Sequence, residues 1–539
     1  MSSYIAEEFT TAEADILRRY FTNLDQPVFA LVNLPEVVKG ALFARYSRSA
    51  KSLRRLFLDE FVGELDISGD TTIDATIGLR RAEELYDRVF FEYGDDSVAQ
   101  LGGVHLACEQ ASNILTKVLE WGRLMAYLEQ STRYIDYLSR IGGRYRYYRD
   151  PEIGASPLSG RYVGDMDRMF ESYRQLLSTM TEFYRQHTSK GTEDSDFVYR
   201  QAVRAKALDT VRGVLPAATI SNVGMYGTGQ SYELLLMRMR AHPLPEVQNY
   251  AELMLNELRK VIPSFLKRVD LRDRGLQWSE YFGNARESME NVASFLLPED
   301  IIPEDTPTVR LVDFDPNAET KMLASMLYSY TNLPLHQLEQ EVQNMGAEDR
   351  LSVVRAYVGN RINRRHKPGR ALERCWYQFD ILADYGAFRD LQRHRMLTVE
   401  WQELSPHHGY TRPEALDAAG CADVFDEVMQ RSATLYELLH QHFAHHAPYA
   451  VSLAYKVRFA MGLNARAAMH LIELRTTPQG HPAYRKIGQE MWRLIRDTAG
   501  HVAVAEMMRF VDLSTEPALG RLVAERRKEK QRQPRRVAP

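Results

Sequence analysis

Cysteine is scarce in this sequence: Cys108, Cys375 and Cys421 are the three found among 539 residues. They lie far apart, and none belongs to a CxxC pair or to another metal-binding spacing. Disulfide-rich secreted proteins and structural zinc sites both need closely spaced cysteines. The sequence therefore predicts neither a disulfide framework nor a metal site, and it favours a reducing, cytoplasmic compartment.

Long apolar runs are absent as well. No uninterrupted stretch approaches the ~20 residues that a transmembrane helix requires. The first residues, MSSYIAEEFTTAEADILRRYF, are acidic and lack the apolar core of a secretory signal. We therefore expect no membrane span and no secretory signal.

An excess of charge of one sign is also lacking, because 68 basic and 72 acidic side chains give a formal charge of −4. This balance excludes a chain-wide polycation that binds nucleic acid. The tail of residues 525–539, ERRKEKQRQPRRVAP, is the exception, being basic and poor in apolar residues. Such a composition predicts a disordered segment, and weak, salt-sensitive contact with nucleic acid is a minor alternative for it.

The chain is longer than one hydrophobic core usually supports, and its two halves resemble each other. A stretch rich in proline and acid at residues 296–309, LLPEDIIPEDTPTV, is typical of a linker. PVFALVNLPEVVKGALFARYSRS before it parallels VRLVDFDPNAETKMLASMLYSYT after it. GQSYELLLMRMRAHP likewise parallels NARAAMHLIELRTTP, and these closing runs contain Arg240 and Arg475. We predict a tandem duplication, with domains at 1–300 and 301–524 followed by the tail.

Each half mixes long amphipathic helical runs with short strand-like ones. In NARAAMHLIELR the apolar residues recur at the i, i+3, i+4, i+7 spacing of a helix with one buried face. YQFDIL alternates apolar and polar residues like a half-buried strand. The predicted fold class is therefore α+β, present twice.

Two stretches carry clustered polar residues of the kind that bind anions. The second half contains FRDLQRHRMLTVEWQELSPHHGY, in which Arg393, His394 and Arg395 precede a Glu-Leu-Ser. The first half contains WGRLMAYLEQSTRY, with Glu-x-Ser-x-Arg-Tyr running from Glu129 to Tyr134. Together they resemble the signature of the flavin-dependent thymidylate synthases: Arg-His-Arg, two residues, Ser, one residue, Asn-Glu, one residue, Ser, one residue, Arg-Tyr. Neither half carries the whole motif.

The second half resembles the flavin side of that family's site. The resemblance implies FAD as cofactor, NADPH and methylenetetrahydrofolate as co-substrates, and a small, mainly antiparallel sheet with long helices in each domain. The residues it assigns to cofactor binding are His366, Glu373, Arg393, His394, Arg395, Asn464 and Arg466. Arg475 matches the arginine that faces the pyrimidine ring. This half departs from the family at Thr398 and His407, and Pro448 stands where a further arginine is expected.

The first half is complementary to the second. The resemblance assigns Glu129, Ser131, Arg133 and Arg212 to nucleotide binding. The flavin-side positions of this half hold other side chains, namely Asp95, Gln100, Trp121, Gly122, Gly229 and Ser231. Because the losses are complementary, we predict one composite site built from two unlike halves. A homodimer, a pseudo-tetramer of such domains, would carry two of these sites.

A pyrimidine nucleotide such as dUMP accounts for these residue types. Its dianionic phosphate is held best by guanidinium groups and a hydroxyl. Such groups are present in Ser131, Arg133, Arg212 and Arg393. By the resemblance, Arg475 stabilises charge that develops on the ring. Arg475, Ser131 and Arg393 are therefore the predicted catalytic residues. The cofactors perform the hydride and one-carbon transfers.

The main assignments have structural alternatives. Asn464 is also a favoured N-cap residue, and Arg475 also complements a helix C-terminus. Glu373 and Arg374 are also able to form a surface ion pair. Two further functions stay open: flavin-dependent one-carbon transfer to another pyrimidine nucleotide, and a non-catalytic protein that binds flavin or nucleotide.

Overall fold

The structure is a computed structural model that describes residues 4–34, 36–62, 100, 102–298, 301, 303–515 and 519–532. Asp95, one of the positions compared with the family, lies outside these residues. The chain forms two compact units. Unit 1 comprises Met1–Glu171, Leu215–Pro303 and Gln430–Val451, and unit 2 comprises Ser172–Val214, Glu304–Met429 and Ser452–Pro539.

The described part of the chain contains eight β-strands and many α-helices. The strands are β1 (Val28–Leu31), β2 (Gly103–Ser112), β3 (Ala126–Glu129), β4 (Ile220–Thr228), β5 (Val309–Phe314), β6 (Trp376–Asp384), β7 (Thr398–Trp401) and β8 (Lys456–Asn464). The helices are α1 (Thr11–Leu17), α2 (Glu36–Tyr46), α3 (Leu53–Glu60), α4 (Asn113–Leu119), α5 (Pro151–Gly154), α6 (Ser159–His187), α7 (Asp196–Val211), α8 (Gly229–Arg240), α9 (Pro245–Arg259), α10 (Gln277–Leu296), α11 (Ala318–Tyr328), α12 (Leu335–Asn344), α13 (Ala347–Val358), α14 (Tyr385–Gln392), α15 (Ala415–Ala418), α16 (Ala422–His440), α17 (Ala465–Arg475), α18 (Pro482–Arg493), α19 (Val502–Met507) and α20 (Leu522–Arg532).

The strands of unit 1 form an antiparallel sheet in the order β1-β2-β4-β3. Phe29 on β1 and Phe57 on α3 belong to a buried cluster that covers one end of this sheet. The edge strand β3 ends at Glu129, which pairs with Val223 of β4. The sheet thereby fixes the start of the Glu-x-Ser-x-Arg segment.

The strands of unit 2 form a second antiparallel sheet in the order β5-β6-β8-β7. Tyr377, Phe379 and Ile381 on β6 are fully buried, and the residues between them are half-buried, as the alternation in YQFDIL predicts. NARAAMHLIELR forms α17, so both local predictions are confirmed. The two sheets have the same strand order, and the predicted α+β class with two antiparallel sheets and long helices is confirmed.

The units differ from the predicted domains of 1–300 and 301–524 in two segments. Residues 172–214 belong to unit 2, although they precede residue 300, and residues 430–451 belong to unit 1. Both segments begin inside a long helix, α6 or α16. The 29 residues of α6 span about 44 Å, more than the width of a small domain. Its two ends therefore contribute to different units, which no local sequence pattern indicates.

The basic tail is helical where the sequence predicted disorder. Helix α20 covers residues 522–532, so the prediction for 525–539 is wrong over 525–532. Residues 533–539 lie outside the described part of the chain. Arg526 of this helix has a partner far away in the sequence, since its Nε and Nη2 lie 2.5 and 3.0 Å from the two carboxylate oxygens of Asp194. Ser195 also donates a hydrogen bond to Glu529, and these long-range contacts are invisible to composition.

Among the described residues, no helix combines the length and the hydrophobicity that crossing a membrane requires. Within the same residues, no group of three or more His, Cys, Asp or Glu side chains is arranged to hold a metal ion. Cys108, Cys375 and Cys421 are free and buried.

Candidate active site

Two helices of unit 2, together with the residues that flank them, hold half of the predicted site residues, and the C-terminal ends of these helices meet. Helix α14 starts directly after β6 and α17 directly after β8. Because β6 and β8 are antiparallel neighbours, the two helices start from opposite ends of the strand pair. Their lengths of about 12 and 16 Å together approach the roughly 30 Å of the paired strands. The last turn of each helix therefore lies beside that of the other.

Asp390 lies among three arginines at this meeting point. Arg393 Nη2 donates to Asp390 Oδ1 at 2.7 Å, and Arg475 Nη1 lies 3.3 Å from the same oxygen. Arg475 also donates through Nη2 to the backbone carbonyl of Asp390. Arg212 Nη1 lies 3.6 Å from Asp390 Oδ2. The carboxylate offsets repulsion between the guanidinium groups. We name Arg212, Asp390, Arg393, His394 and Arg475 the Asp390 cluster.

Arg212 reaches this cluster from the first half of the sequence. It follows α7 within the segment 172–214, which belongs to unit 2. Its side chain is 4% exposed, and Nη2 has no hydrogen-bond partner in the described part of the chain. Pro448, which corresponds to Arg212 in the second half, lies in a 3-10 helix of unit 1. The structure thus brings Arg212 together with Arg393 and Arg475, as three predicted nucleotide ligands require.

The imidazole of His394 is neutral in this environment. Arg475 Nε donates to His394 Nε2 at 2.9 Å, so that ring nitrogen carries no proton. Burial lowers the pKa of His394 well below its usual range, and the nearby Arg475, His470 and Arg393 lower it further. His470, with its ring centre 5.5 Å away, has a pKa lowered to about 4, mainly by burial. His394 therefore acts as an acceptor that orients the Arg475 guanidinium.

A buried ion pair holds the end of α17 in place. Arg361 Nη1 and Nη2 lie 2.8 and 2.6 Å from the two carboxylate oxygens of Glu473. Arg361 also donates to the backbone carbonyls of His366 and Met507, each at 2.6 Å. Glu473 stands two residues before Arg475, so this pair positions the Arg475 backbone. His366, predicted to bind cofactor, has its carbonyl engaged in the same network.

Asn464 and Arg466 lie at the start of α17. Asn464 Oδ1 accepts a hydrogen bond from Ala467 N at 2.9 Å, so the N-cap role that was the structural alternative is present. Arg466 Nε donates to Pro368 O at 3.0 Å, and its Nη1 lies 3.7 Å from Glu373 Oε1. The structure therefore brings together the predicted cofactor residues Arg466 and Glu373.

Glu373 has a different ion-pair partner from the one considered in the sequence. Its carboxylate accepts hydrogen bonds from Arg370 Nε and Nη2 at 3.0 to 3.2 Å. Arg374 instead lies 3.3 Å from Glu339. The alternative in which Glu373 pairs with Arg374 is therefore wrong, because the 3-10 turn at residues 370–374 directs Glu373 towards Arg370.

Cationic side chains in this region suit an anionic cofactor. The pKa of Lys367 is lowered by burial and by the neighbouring charges of Arg466 and Arg364. Arg395 follows the Asp390 cluster and is exposed. Like charges held this close gain from an anion between them, and guanidinium groups bind pyrophosphate oxygens well. The donor set thus fits a cofactor that carries a pyrophosphate.

The predicted residues Glu129, Ser131 and Arg133 lie in unit 1. Glu129 is 5% exposed, and its Oε2 lies 3.4 Å from Nζ of the buried Lys117. Ser131 N donates to Ser47 O at 3.2 Å, and Ser131 Oγ accepts from Arg133 N at 3.3 Å. Glu129 therefore anchors the segment in the unit, and the turn that follows holds Ser131 against Arg133.

The first-half counterpart of Arg475 serves another purpose. Arg240 Nε lies 2.7 Å from Glu252 Oε1, and Arg240 Nη1 lies 2.8 Å from Asp270 Oδ1. In the aligned motifs, Val118 occupies the position that corresponds to Asp390. In the first half, Arg240 therefore links neighbouring helical segments. This half has no carboxylate at the position of Asp390, which is the centre of the cluster in the second half.

Three residues that shape the site were missed by the sequence predictions. Asp390 stands three residues before Arg393, and this i, i+3 spacing is a signal that could have indicated their ion pair. Arg361 and Glu473 are 112 positions apart, so no local spacing links them. Their pairing depends on the path of the chain between β5 and α17.

Comparison with protein families identifies the family of the chain. The sequence profile of the family described as "Thymidylate synthase complementing protein" matches residues 44–264 and 310–499, which together make up most of the chain. The chain belongs to this family. The resemblance to the flavin-dependent thymidylate synthases, inferred from the two incomplete motifs, is therefore confirmed.

Individual relatives differ in how much of the chain they cover. A UPF0159 protein of Chlamydia pneumoniae is 39% identical over 528 residues, covering 97% of this chain and 98% of that protein. A flavin-dependent thymidylate synthase of Clostridium tetani is 24% identical over 187 residues, covering 33% of this chain and 67% of that enzyme. A solved UMP/dUMP methylase of Streptomyces cacaoi, bound with 5-Br dUMP, aligns with a TM-score of 0.29 and 16% identity, covering 38% of this chain and 97% of its own.

Proposed function

We propose that this protein is a flavin-dependent thymidylate synthase that methylates dUMP to dTMP, with FAD as cofactor and NADPH and methylenetetrahydrofolate as co-substrates. Family membership supports flavin-dependent methylation of a nucleotide, and the Clostridium tetani relative carries the name of this activity. One observation carries the proposal: Arg212 and Arg393, from different halves of the sequence, both lie against Asp390.

The residues of the Asp390 cluster receive distinct roles. Arg212 and Arg393, with Ser131 and Arg133 of the other segment, bind the nucleotide phosphate. Arg475, oriented by the neutral His394, faces the pyrimidine ring and stabilises negative charge that develops on it.

The cofactor side is assigned to the cationic region around the start of α17. Arg395, Asn464 and Arg466 would hold the flavin, with His394 at its edge. His366 and Glu373 would support them. When bound, reduced flavin supplies the hydride and methylenetetrahydrofolate supplies the one-carbon unit.

We further propose that the two halves arose by tandem duplication and that Arg133 and Arg393 serve one composite site. The shared strand order of the two sheets supports the duplication. A homodimer with two such sites is the corresponding assembly, since most homo-oligomers close with two-fold symmetry.

The first experiment measures tritium release from dUMP labelled at C5, in the presence of FAD, NADPH and methylenetetrahydrofolate. Arg133→Ala and Arg393→Ala are each expected to lower kcat/KM by about 10- to 100-fold, because each removes a charge-assisted contact. Arg18→Ala and Arg496→Ala, which remove exposed arginines, serve as controls and should leave kcat/KM unchanged. A kcat/KM that stays at the wild-type value in either site variant would contradict the composite site.

Labelled dCMP in a parallel assay tests the alternative substrate. Turnover of dCMP without turnover of dUMP would replace the proposed activity with one-carbon transfer to a different pyrimidine nucleotide. Tight flavin binding without turnover of either nucleotide would identify a binding protein that has lost catalysis.

Mixing the two impaired variants tests the proposed assembly. If each site takes Arg133 from one chain and Arg393 from its partner, random subunit exchange restores about a quarter of the wild-type activity. If both arginines of a site belong to the same chain, the mixture keeps only the residual activity of the separate variants.

A further inference from the structure

Helix α10 of unit 1 carries an apolar stripe that faces solvent. Apolar residues recur along this helix at intervals of three or four positions, which places them on one side of it. The large side chains of the stripe and its edge are between 45% and 87% exposed: Trp278, Tyr281, Met289, Val292, Phe295 and Leu296. Such a stripe normally packs against a core, so its exposure marks an interaction surface.

The first half of α10 is attached to unit 1, and the second half is exposed on every side. Ser279 Oγ donates to the carbonyl of Met237 on α8 at 3.2 Å, and Arg286 Nη2 donates to the carbonyl of Ala241 just after α8. The residues at 287–296 are all exposed. Isolated helices shorter than about 12–15 residues are marginally stable in water. A partner that packs on the second half would therefore stabilise it.

The helix at the corresponding place in the second half of the sequence has no such stripe. IPSFLKRVDL before α10 parallels VAEMMRFVDL before α20. Helix α20, LVAERRKEKQR, is mostly charged, and Arg526 on it pairs with Asp194 of the same unit. The stripe of α10 is therefore not a requirement of the fold that both halves share.

The stripe has the area of one side of a dimer interface. Its six large side chains present roughly 700 Å² of exposed surface. The largest apolar patch of a typical monomer is about 300–600 Å², whereas a stable interface buries about 800 Å² of each partner.

The charges of α10 allow two copies of the helix to meet. Glu280 and Glu287 lie on the side of the helix opposite the stripe, and both are exposed. Asn284, Ser288 and Asn291, which border one edge of the stripe, are uncharged. Like charges of two copies would therefore stay apart, and a strongly charged partner would find no complementary charge along this edge.

We propose that α10 pairs with α10 of a second copy of this chain in an antiparallel arrangement. Each exposed second half then lies over the attached first half of the other copy, so Phe295 and Leu296 meet Trp278 and Tyr281. Ala285 lies near the middle of the stripe, where a small side chain lets the helices approach closely. A parallel pair would instead crowd the two copies of unit 1 beside the first halves. This pairing names a surface for the homodimer proposed above, and it does not depend on the reaction.

Sedimentation equilibrium of the full-length protein measures the pairing. Val292→Glu places a carboxylate within the stripe. Ser294→Glu adds the same charge two residues later, on the opposite side of the helix, and is the matched control. The wild type and the control should form dimers of twice 62.1 kDa, and the dissociation constant of Val292→Glu should be about 30-fold higher.

Circular dichroism establishes that both variants are folded. A monomeric wild type, or equal dissociation constants for Val292→Glu and Ser294→Glu, would overturn the interface. Tritium release from labelled dUMP, measured on the same variants, reports separately on the reaction. Failure of the interface and failure of the proposed function are therefore distinguishable.

Cysteine cross-linking with a short bis-maleimide tests the orientation. Ser288 lies near the midpoint of the stripe, so the introduced thiols of Ser288→Cys should face each other and cross-link. Those of Leu296→Cys would lie roughly 27 Å apart in the antiparallel pair and should not cross-link. The native cysteines are buried, which keeps the background low. Equal cross-linking of the two variants, or cross-linking of Leu296→Cys alone, would overturn the antiparallel arrangement.

Discussion

Removing the buried carboxylate of Glu473 should strongly destabilise the protein. Arg361 and Glu473 are each about 1% exposed at the side chain, so solvent does not screen their interaction. In Glu473→Ala, Arg361 keeps its bonds to two backbone carbonyls but loses its counter-charge. Leaving one partner of a buried ion pair uncompensated costs about 3–5 kcal/mol. We expect a loss of that size in the free energy of unfolding.

Urea denaturation followed by tryptophan fluorescence and circular dichroism measures this loss. The double variant Arg361→Met with Glu473→Leu removes both charges and fills the space with apolar atoms. It should lie within about 2 kcal/mol of the wild type, because a buried pair replaced by apolar residues is often nearly neutral. Arg496→Ala, which breaks an exposed pair with Asp497, is the control and should not shift the midpoint.

Two results would refute this reasoning. One is a Glu473→Ala variant that unfolds within about 1 kcal/mol of the wild type, which would mean that Arg361 finds water or another partner. The other is a double variant less stable than the single one, which would make the ion pair itself a net source of stability.

Three further results are expected. Burial raises the pKa of Glu246 from 4.5 to about 7 despite its bonds to Ser112 and Tyr449, so the folded state holds a proton that the unfolded state has lost. The free energy of unfolding should therefore fall by up to about 3 kcal/mol as pH rises from about 4.5 to 7. The urea midpoint of Glu246→Gln should not show this dependence on pH. His394 should stay neutral above pH 6, so its NMR signals, assigned with His394→Gln, should have no titration step near 6.5. Asp390→Asn should weaken dUMP binding about tenfold by calorimetry, because the arginines lose the charge that holds them together; unchanged affinity would contradict that role.

Much of the fold could be predicted because it depends on local pattern. The 3.6-residue period of NARAAMHLIELR and the alternation in YQFDIL depend on which face of an element is buried, and both elements formed as expected. The prediction of disorder for residues 525–532 was wrong because the structure there includes contacts that are distant in the sequence. Its composition favours solvation, but the structure is helical there and pairs Arg526 with Asp194, more than 300 positions away.

The sequence by itself determined the class of elements, the similarity between its two halves and the residue types of the candidate site. Arg393, His394 and Arg475 could be recognised because the spacing of each motif survives within a short stretch of the sequence. Tertiary structure alone decided which residues of unit 2 meet. Arg212 meets Asp390 because α6 carries the segment 172–214 into unit 2. The ion pair of Arg361 and Glu473 likewise depends on residues that the chain brings together only when folded. Such contacts arise from the path of the backbone, and the spacing of residues along a sequence does not encode that path locally.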